Sequence, residues 1–337
     1  MSEQETVDVV VTLDFDDEWL ARVAAVDPRV RVHKVVTPSA DEIPADLLAR
    51  ARVMYTSTAF PSAGRAPRLG WVQLDTSGVD HVRGSDLWRS KVPITTIGGV
   101  SPRPLAGWVM AQVLAHAYHL REVETLARSG TWPSFAERWD RLMPHPLAGA
   151  TIGIVGYGRI GREIGRLAEA FGMHVTGMRR GGPAAGERLG EEAPGAEAAT
   201  VVGPEGLPKL LAESDYVVLT VPYTPQTHHL LDAAAIATMR PTAVLINAAR
   251  GGVVDEDALL RAVDEGRIAF AALDVFATEP LPADSPLWRH PRVLVSPHVA
   301  GFAPDYHERV GGLFRDNLAR FLSGAALVNL ADRERGY

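Results

Sequence analysis

The chain contains no cysteine, which excludes a disulfide framework, a thiolate nucleophile and a cysteine-held metal together. It lacks a basic excess as well. Its 34 Lys and Arg face 41 Asp and Glu, a formal charge of −7, so there is no electrostatic footprint for nucleic acid or an acidic membrane. No apolar run approaches the roughly 20 residues that a bilayer-crossing helix needs. The start, MSEQETVD, is acidic and polar where a secretory leader needs positive charge and then an apolar core, and the expectation is a cytoplasmic protein. No sequence repeat is visible. What remains is 337 residues, 22% of them charged, with mean hydropathy near zero: an ordinary globular chain with room for two domains that can each bury a core.

The most informative stretch is residues 151–180, TIGIVGYGRIGREIGRLAEAFGMHVTGMRR. An apolar strand-like run ends at Gly156-Tyr157-Gly158-Arg159-Ile160-Gly161. Helical spacing of Ile164, Leu167, Ala168 and Phe171 follows, then a second apolar run at 173–178. In such a βαβ unit the three glycines have separate tasks. Gly156 permits the tight turn, Gly158 lets backbone approach a pyrophosphate, and Gly161 lets the helix pack against the strand. The helix N-terminus then offers N–H groups and a positive dipole end to phosphate. A GxGxxG alone is weak evidence; set between two strands it indicates a dinucleotide site.

Elsewhere, strand-like runs at 7–13, 30–36, 52–57, 71–74 and 94–97 alternate with short helical patterns, which predicts a parallel sheet in a first α/β domain ending near Gly98. Its one conspicuous turn, Thr76-Ser77-Gly78-Val79-Asp80, follows a strand and reads locally as either a plain glycine turn or a ligand loop. A helix is expected over 105–120, where His116 and His119 read as a packed or surface pair rather than metal ligands. Residues 129–146 read as irregular, with Trp132, Phe135 and Trp139 expected to bury against this chain or a partner subunit. Residues 181–208, rich in Gly, Ala, Pro and Glu, read as a surface connection. Alternation then resumes through strands at 216–221, 243–247, 268–275 and 293–295 to a final helix at 302–322.

Three groups fall just past the ends of these later strands. Arg250 follows AVLINAA, Asp274 lies in FAALDVF with Glu279 beyond it, and His298 follows VLVSP. In a parallel sheet those ends share an edge with the glycine turn. A guanidinium there can grip a carboxylate with two parallel hydrogen bonds and polarise the adjoining carbonyl. A histidine beside a buried carboxylate can serve as general acid. The set suits hydride transfer to a 2-keto acid, with a cofactor carrying the hydride.

On the stretches GIVGYGRIGREI, LTVPYTPQTHHLLD, LINAARGGVVDEDAL, ALDVFATEPLP and SPHVAG, the chain resembles the D-isomer-specific 2-hydroxyacid dehydrogenases, most densely over 147–301. The resemblance implies two Rossmann-like or flavodoxin-like parallel-sheet domains. The outer, substrate domain would be split between residues 1–98 and 302–337, around a dinucleotide domain at 99–301. It implies that Arg250 binds the substrate carboxylate, that Glu279 and His298 form the acid/base pair, and that Ser77 and Gly78 supply backbone donors to the substrate. It places Gly156, Gly158, Arg159, Ile160, Gly161, Val221, Pro222, Thr227, Ala248, Asp274 and His298 around the cofactor, Asp274 near the nicotinamide carboxamide. A homodimer clasped through the cofactor domain would give Trp132 and Trp139 an intersubunit place. Two departures stand out. Gly107 falls where such proteins often carry Glu. At the end of the second strand, where NAD-binding members usually hold an acidic residue, this chain has Arg179 and Arg180. Arginine cannot accept a ribose hydrogen bond but suits a 2′-phosphate, so NADP is expected over NAD. The reading is a 2-keto acid reductase acting on glyoxylate, hydroxypyruvate or a larger acid, with a non-catalytic dinucleotide-binding corepressor as the alternative.

Overall fold

The computed structural model describes residues 5–181 and 199–337. Two compact units result, one of Met1–Val100 with Ala303–Tyr337 and one of Ser101–Phe302. In the first, β1 (Val7–Val11), α1 (Asp17–Ala24), β2 (Val30–Lys34), α2 (Ala45–Arg50), β3 (Val53–Thr56), β4 (Trp71–Leu74), α3 (Asp86–Arg89) and β5 (Ile94–Thr95) alternate along the chain. The strands form one parallel sheet in the order β2-β1-β3-β4-β5. Helices cover both faces of such a sheet, so its strands must be apolar throughout rather than alternating. VDVVV in β1 and WVQL in β4 follow this apart from Asp8 and Gln73, and every position is buried. The start of α1 is capped by Asp16, whose carboxylate accepts the Trp19 N–H at 2.7 Å.

The C-terminal helix Tyr306–Ser323 completes this unit's core. Phe314 is fully buried, its ring stacked 4.8 Å from Tyr55 and 5.2 Å from Trp71. Burying one such ring contributes about 1.5–3 kcal/mol. Downstream, Ala331 N–H donates to Ile94 O at 2.8 Å, tying the tail to the sheet edge. Residues from both ends of the chain therefore share one core.

The second unit runs α4 (Pro102–Ala117), α5 (Leu120–Ser129), α6 (Phe135–Leu142), β6 (Thr151–Val155), α7 (Arg159–Ala170), β7 (His174–Met178), β8 (Thr200–Val202), α8 (Leu207–Glu213), β9 (Tyr216–Leu219), α9 (Ala233–Ala237), β10 (Val244–Asn247), α10 (Glu256–Asp264), β11 (Phe270–Leu273) and β12 (Val293–Val295). Its parallel sheet has the order β12-β11-β10-β9-β6-β7-β8. The chain proceeds outward from β6 to β8, returns to β9 on the other side of β6, and proceeds outward again. The boundary between β6 and β9 is thus the topological switch point, where open α/β sheets bind ligands.

Three expectations are corrected here. The helix expected at 105–120 ends at Ala117, because His119 takes a left-handed φ of 51° and α5 starts anew. Residues 129–146 are not irregular, since Ser134 and Glu137 form a capping box that starts α6. Nor are Trp132, Phe135 and Trp139 buried by this chain: they are 84%, 69% and 60% exposed. Of the connection read at 181–208, residues 182–198 lie outside the described residues, while Thr200–Val202 forms an edge strand too short to show a pattern. His116 stacks against His145 with ring centroids 5.6 Å apart, and burial, aided by His145 and His119, lowers its pKa to about 4. Among the described residues, no helix is long and apolar enough to cross a membrane.

Candidate active site

The glycine turn lies at the switch point. Gly156 has a φ of 109°, and a Cβ there would come within 2.7 Å of the Thr220 and Val221 backbone, so only glycine fits the turn. Thr220 closes it from the neighbouring strand end, donating its hydroxyl to Gly156 O at 2.8 Å. Gly161 sits where a Cβ would lie 2.6 Å from Gly156 O, which lets α7 approach β6 closely. Gly158 differs: nothing lies within 4 Å of its absent Cβ. It opens α7, and no side chain caps that helix. An open glycine face at an uncapped helix start fits a pyrophosphate, whose oxygens would take the first-turn N–H groups. Arg159 is exposed at the same start and Ile160 is half-buried.

The end of β7 is held against this turn. Met178 O accepts both the Gly156 N–H at 2.9 Å and the Tyr157 N–H at 2.7 Å, and Arg179 N–H donates to Val202 O at 3.1 Å. Arg179 and Arg180 therefore follow directly on the residue that the glycine turn grips. On the other side, Val221 is buried at the end of β9 and Pro222 is half-buried. The Thr227 hydroxyl is engaged within its own turn, donating to Pro222 O at 2.7 Å and accepting the Thr224 N–H at 2.8 Å. Ala248, half-buried, donates its N–H to Leu219 O at 3.4 Å.

Arg250, Glu279 and His298 follow β10, β11 and β12, three adjacent strands. His298 Nδ1 lies 2.7 Å from Glu279 Oε2. Because a carboxylate only accepts, Nδ1 is the donor, and Nε2 is the ring nitrogen that can exchange a proton elsewhere. The second Glu279 oxygen accepts the Phe276 N–H at 2.9 Å. The carboxylate is not buried as the sequence had suggested: the Glu279 and His298 side chains are 34% and 48% exposed. Arg250 is half-buried, with Nη1 donating to Ala249 O at 2.8 Å. Its turn is packed against the Glu279 segment, since a Cβ on Gly251 would overlap the Phe276–Ala277 backbone. That close approach sets the Arg250 turn against the segment that carries Glu279.

Asp274 is 2% exposed and organises the loop that carries His298. Its carboxylate accepts the Ser296 hydroxyl, the Val299 N–H at 2.9 Å and the Ala300 N–H at 2.9 Å, while its carbonyl accepts the His298 N–H at 2.9 Å. These bonds hold His298 at a left-handed φ of 55°. Ser77 and Gly78 belong to the first unit, just past β4, where the Thr76 hydroxyl donates to Gly78 O at 2.8 Å and leaves Ser77 exposed at the turn.

Sequence reasoning missed the supporting residues. Asn247, 1% exposed, accepts the Ala249 N–H at 3.1 Å and donates to Arg250 O at 3.1 Å, so it sets the Arg250 turn. Glu256 accepts the Ala277 N–H at 2.6 Å; burial raises its pKa, and that backbone hydrogen bond opposes the shift. An amide at the end of an otherwise apolar VLIN strand was the one available signal for Asn247. Among the described residues, no group of three or more His, Asp or Glu is arranged to hold a metal ion.

Comparison with known proteins agrees with this fold. A family model for the NAD binding domain of D-isomer specific 2-hydroxyacid dehydrogenases matches residues 110–300. A glyoxylate reductase of Thermococcus gammatolerans is 36% identical over 272 residues, covering 80% of this chain and 78% of its own. An (S)-sulfolactate dehydrogenase of Chromohalobacter salexigens is 36% identical over 322 residues, covering 93% and 94%. Among solved structures, an NADPH-dependent glyoxylate/hydroxypyruvate reductase of Sinorhizobium meliloti, in complex with NADP and sulfate, is similar with a TM-score of 0.82 at 30% identity, covering 98% of this chain and 100% of that one.

Proposed function

The chain belongs to the D-isomer specific 2-hydroxyacid dehydrogenase family, and from that premise we propose that it works as an NADPH-preferring reductase of small 2-keto acids in the cytoplasm. Membership itself carries the reaction class, hydride transfer between a nicotinamide dinucleotide and a 2-keto or 2-hydroxy acid. The corepressor alternative is not favoured, since the relatives are named for catalysis.

A bound reduced nicotinamide supplies the hydride. The protein's part is to hold the acid, polarise its carbonyl and deliver a proton. In our reading the Arg250 guanidinium takes the substrate carboxylate in a fork and draws charge toward the carbonyl oxygen. His298 donates from Nε2 to that oxygen as it becomes an alkoxide, and Glu279 fixes the tautomer and the ring plane through Nδ1. In the oxidative direction neutral His298 takes the hydroxyl proton. The observation that carries this reading is the 2.7 Å contact between His298 and Glu279, beside an Arg250 turn pinned to the same segment by Gly251. Dinucleotide oxidation measured with glyoxylate, hydroxypyruvate and larger 2-keto acids tests it. Tight dinucleotide binding without turnover of any of them would return the corepressor.

The NADP preference rests on Arg179 and Arg180, set by the Met178 hydrogen bonds beside the glycine turn. A hydrogen bond to a charged group contributes about 1.5–3 kcal/mol, so Arg179→Asp is expected to move the kcat/KM ratio toward NADH by roughly 10- to 100-fold. Equal or better kcat/KM with NADH in the wild type would end the proposal.

For quaternary structure we propose a homodimer through α5 and α6. These helices bury none of their residues within the chain, and Arg138 lies over the exposed Trp132 ring at 5.5 Å. Aromatic and Arg anchors of this kind dominate interfaces. Trp139→Glu is expected to weaken dimerisation by about 30-fold or more in sedimentation velocity. A monomeric wild type, or an unaltered dimer in the variant, would refute it.

A further inference from the structure

The turn that carries Glu279 is gripped by a residue with no part in the chemistry above. Glu256 opens α10, and the start of that helix is fixed twice over. Asp255 accepts the Ala258 N–H at 2.9 Å through its carboxylate and donates its own N–H to Leu231 O at 3.0 Å. From this rigid base the Glu256 carboxylate reaches across to the N–H of Ala277, 21 positions on, and accepts it at 2.6 Å. On the adjoining peptide the Phe276 N–H donates to Glu279 Oε1 at 2.9 Å, while Glu279 Oε2 lies 2.7 Å from His298 Nδ1. Two successive N–H groups of one turn are thus taken by two carboxylates, one from α10 and one from the acid/base pair.

We propose that Glu256 is a positioning residue for the reduction: by holding the Ala277 peptide it fixes the turn from which Glu279 reaches His298 Nδ1, and with it the direction in which Nε2 presents its proton. The inference rests on the reading of Glu279 and His298 as the acid/base pair. Burial cannot orient that pair, because the two side chains are 34% and 48% exposed. Hydrogen bonds must do so, and a catalytic group keeps its geometry only as well as the residues behind it are held.

The electrostatics around Glu256 agree with a contact kept for geometry. Burial raises its pKa, the Ala277 N–H opposes that rise, the Asp257 and Glu279 charges add to it, and His229 offsets part. A carboxylate disfavoured by burial and by two like charges is kept in place by a short, charge-assisted N–H contact.

The test is steady-state kinetics on Glu256→Ala and Glu256→Gln, each alone and combined with His298→Asn, using NADPH and the better of glyoxylate and hydroxypyruvate. Misplacing a catalytic group by about 1 Å can lower a rate about 10²-fold. The Phe276 and Gly251 contacts of the turn remain, so Glu256→Ala is expected to lower kcat by about tenfold, with both KM values changing less than about twofold. Glutamine still offers an acceptor oxygen to the Ala277 N–H, so Glu256→Gln should stay within about threefold of wild type. The Asp255 cap is untouched, so α10 should form in every variant. In the His298→Asn background the alanine change should matter by no more than about twofold, since its effect passes through the histidine. A full tenfold loss there would mark a general effect on the fold and overturn the proposal. Wild-type kcat in Glu256→Ala, or a Gln variant as slow as the Ala one, would overturn it equally. Unchanged kcat in His298→Asn alone would instead remove the acid/base reading on which this one rests.

Discussion

Replacing His298 with alanine is expected to lower kcat by roughly 10²–10⁴, with KM for the keto acid changing by less than about threefold. A positioned general acid contributes only as the proton moves, so its loss acts on turnover rather than on binding. Alanine brings one confounding effect, because residue 298 holds a φ of 55° that alanine resists. His298→Asn separates the two, since asparagine tolerates left-handed backbone and should leave the Asp274-bonded loop in place. Both variants should show the same loss of kcat, and the Asn protein should melt closer to wild type. Unchanged kcat in either would sink the acid/base assignment.

Arg250→Ala is expected to act on both constants, raising KM and lowering kcat for a combined fall in kcat/KM of roughly 10²–10⁴. Two charge-assisted hydrogen bonds at about 1.5–3 kcal/mol each account for that range. Turnover falls as well as affinity because the same guanidinium polarises the carbonyl in the transition state. Arg250→Lys should recover little, as an ammonium cannot present the planar fork. The Arg250 backbone turn is held independently, by Asn247 and by the packing of Gly251 against Phe276 and Ala277, so the protein should fold normally without the side chain. A kcat/KM within about tenfold of wild type would remove Arg250 from substrate binding.

The glycine turn was readable because its constraints are local. A φ of 109° at Gly156 and an open face at Gly158 are demands that individual residues meet, and they leave glycines at fixed spacing. The strands were readable for a similar reason, as burial on both faces requires apolar runs such as VLIN and YVVL. The α5–α6 region was misread although its capping box, Ser134 to Glu137, stood in the sequence. Three large aromatics suggested burial against this chain or a partner; Phe135 and Trp139 lie on α6 and Trp132 just before it, and this chain leaves all three exposed. Aromatic content tells of apolar area, not of which surface covers it.

By itself the sequence determined two α/β sheets, a dinucleotide turn, an arginine pair following the second strand of that turn's unit, and a cation, carboxylate and histidine past successive strand ends. Each follows from periodicity or from the chemistry of one residue type. Only the tertiary structure decided how the pieces support one another. It gave the Asp274 carboxylate to the His298 loop, matched Glu279 Oε2 to His298 Nδ1, and pressed Gly251 against the Glu279 segment. It also built the first unit's core around Phe314, from the far end of the chain, and brought Glu256 to the Ala277 N–H. These contacts join residues many positions apart, and no local pattern records them. They arise when buried donors and acceptors must find partners across the fold.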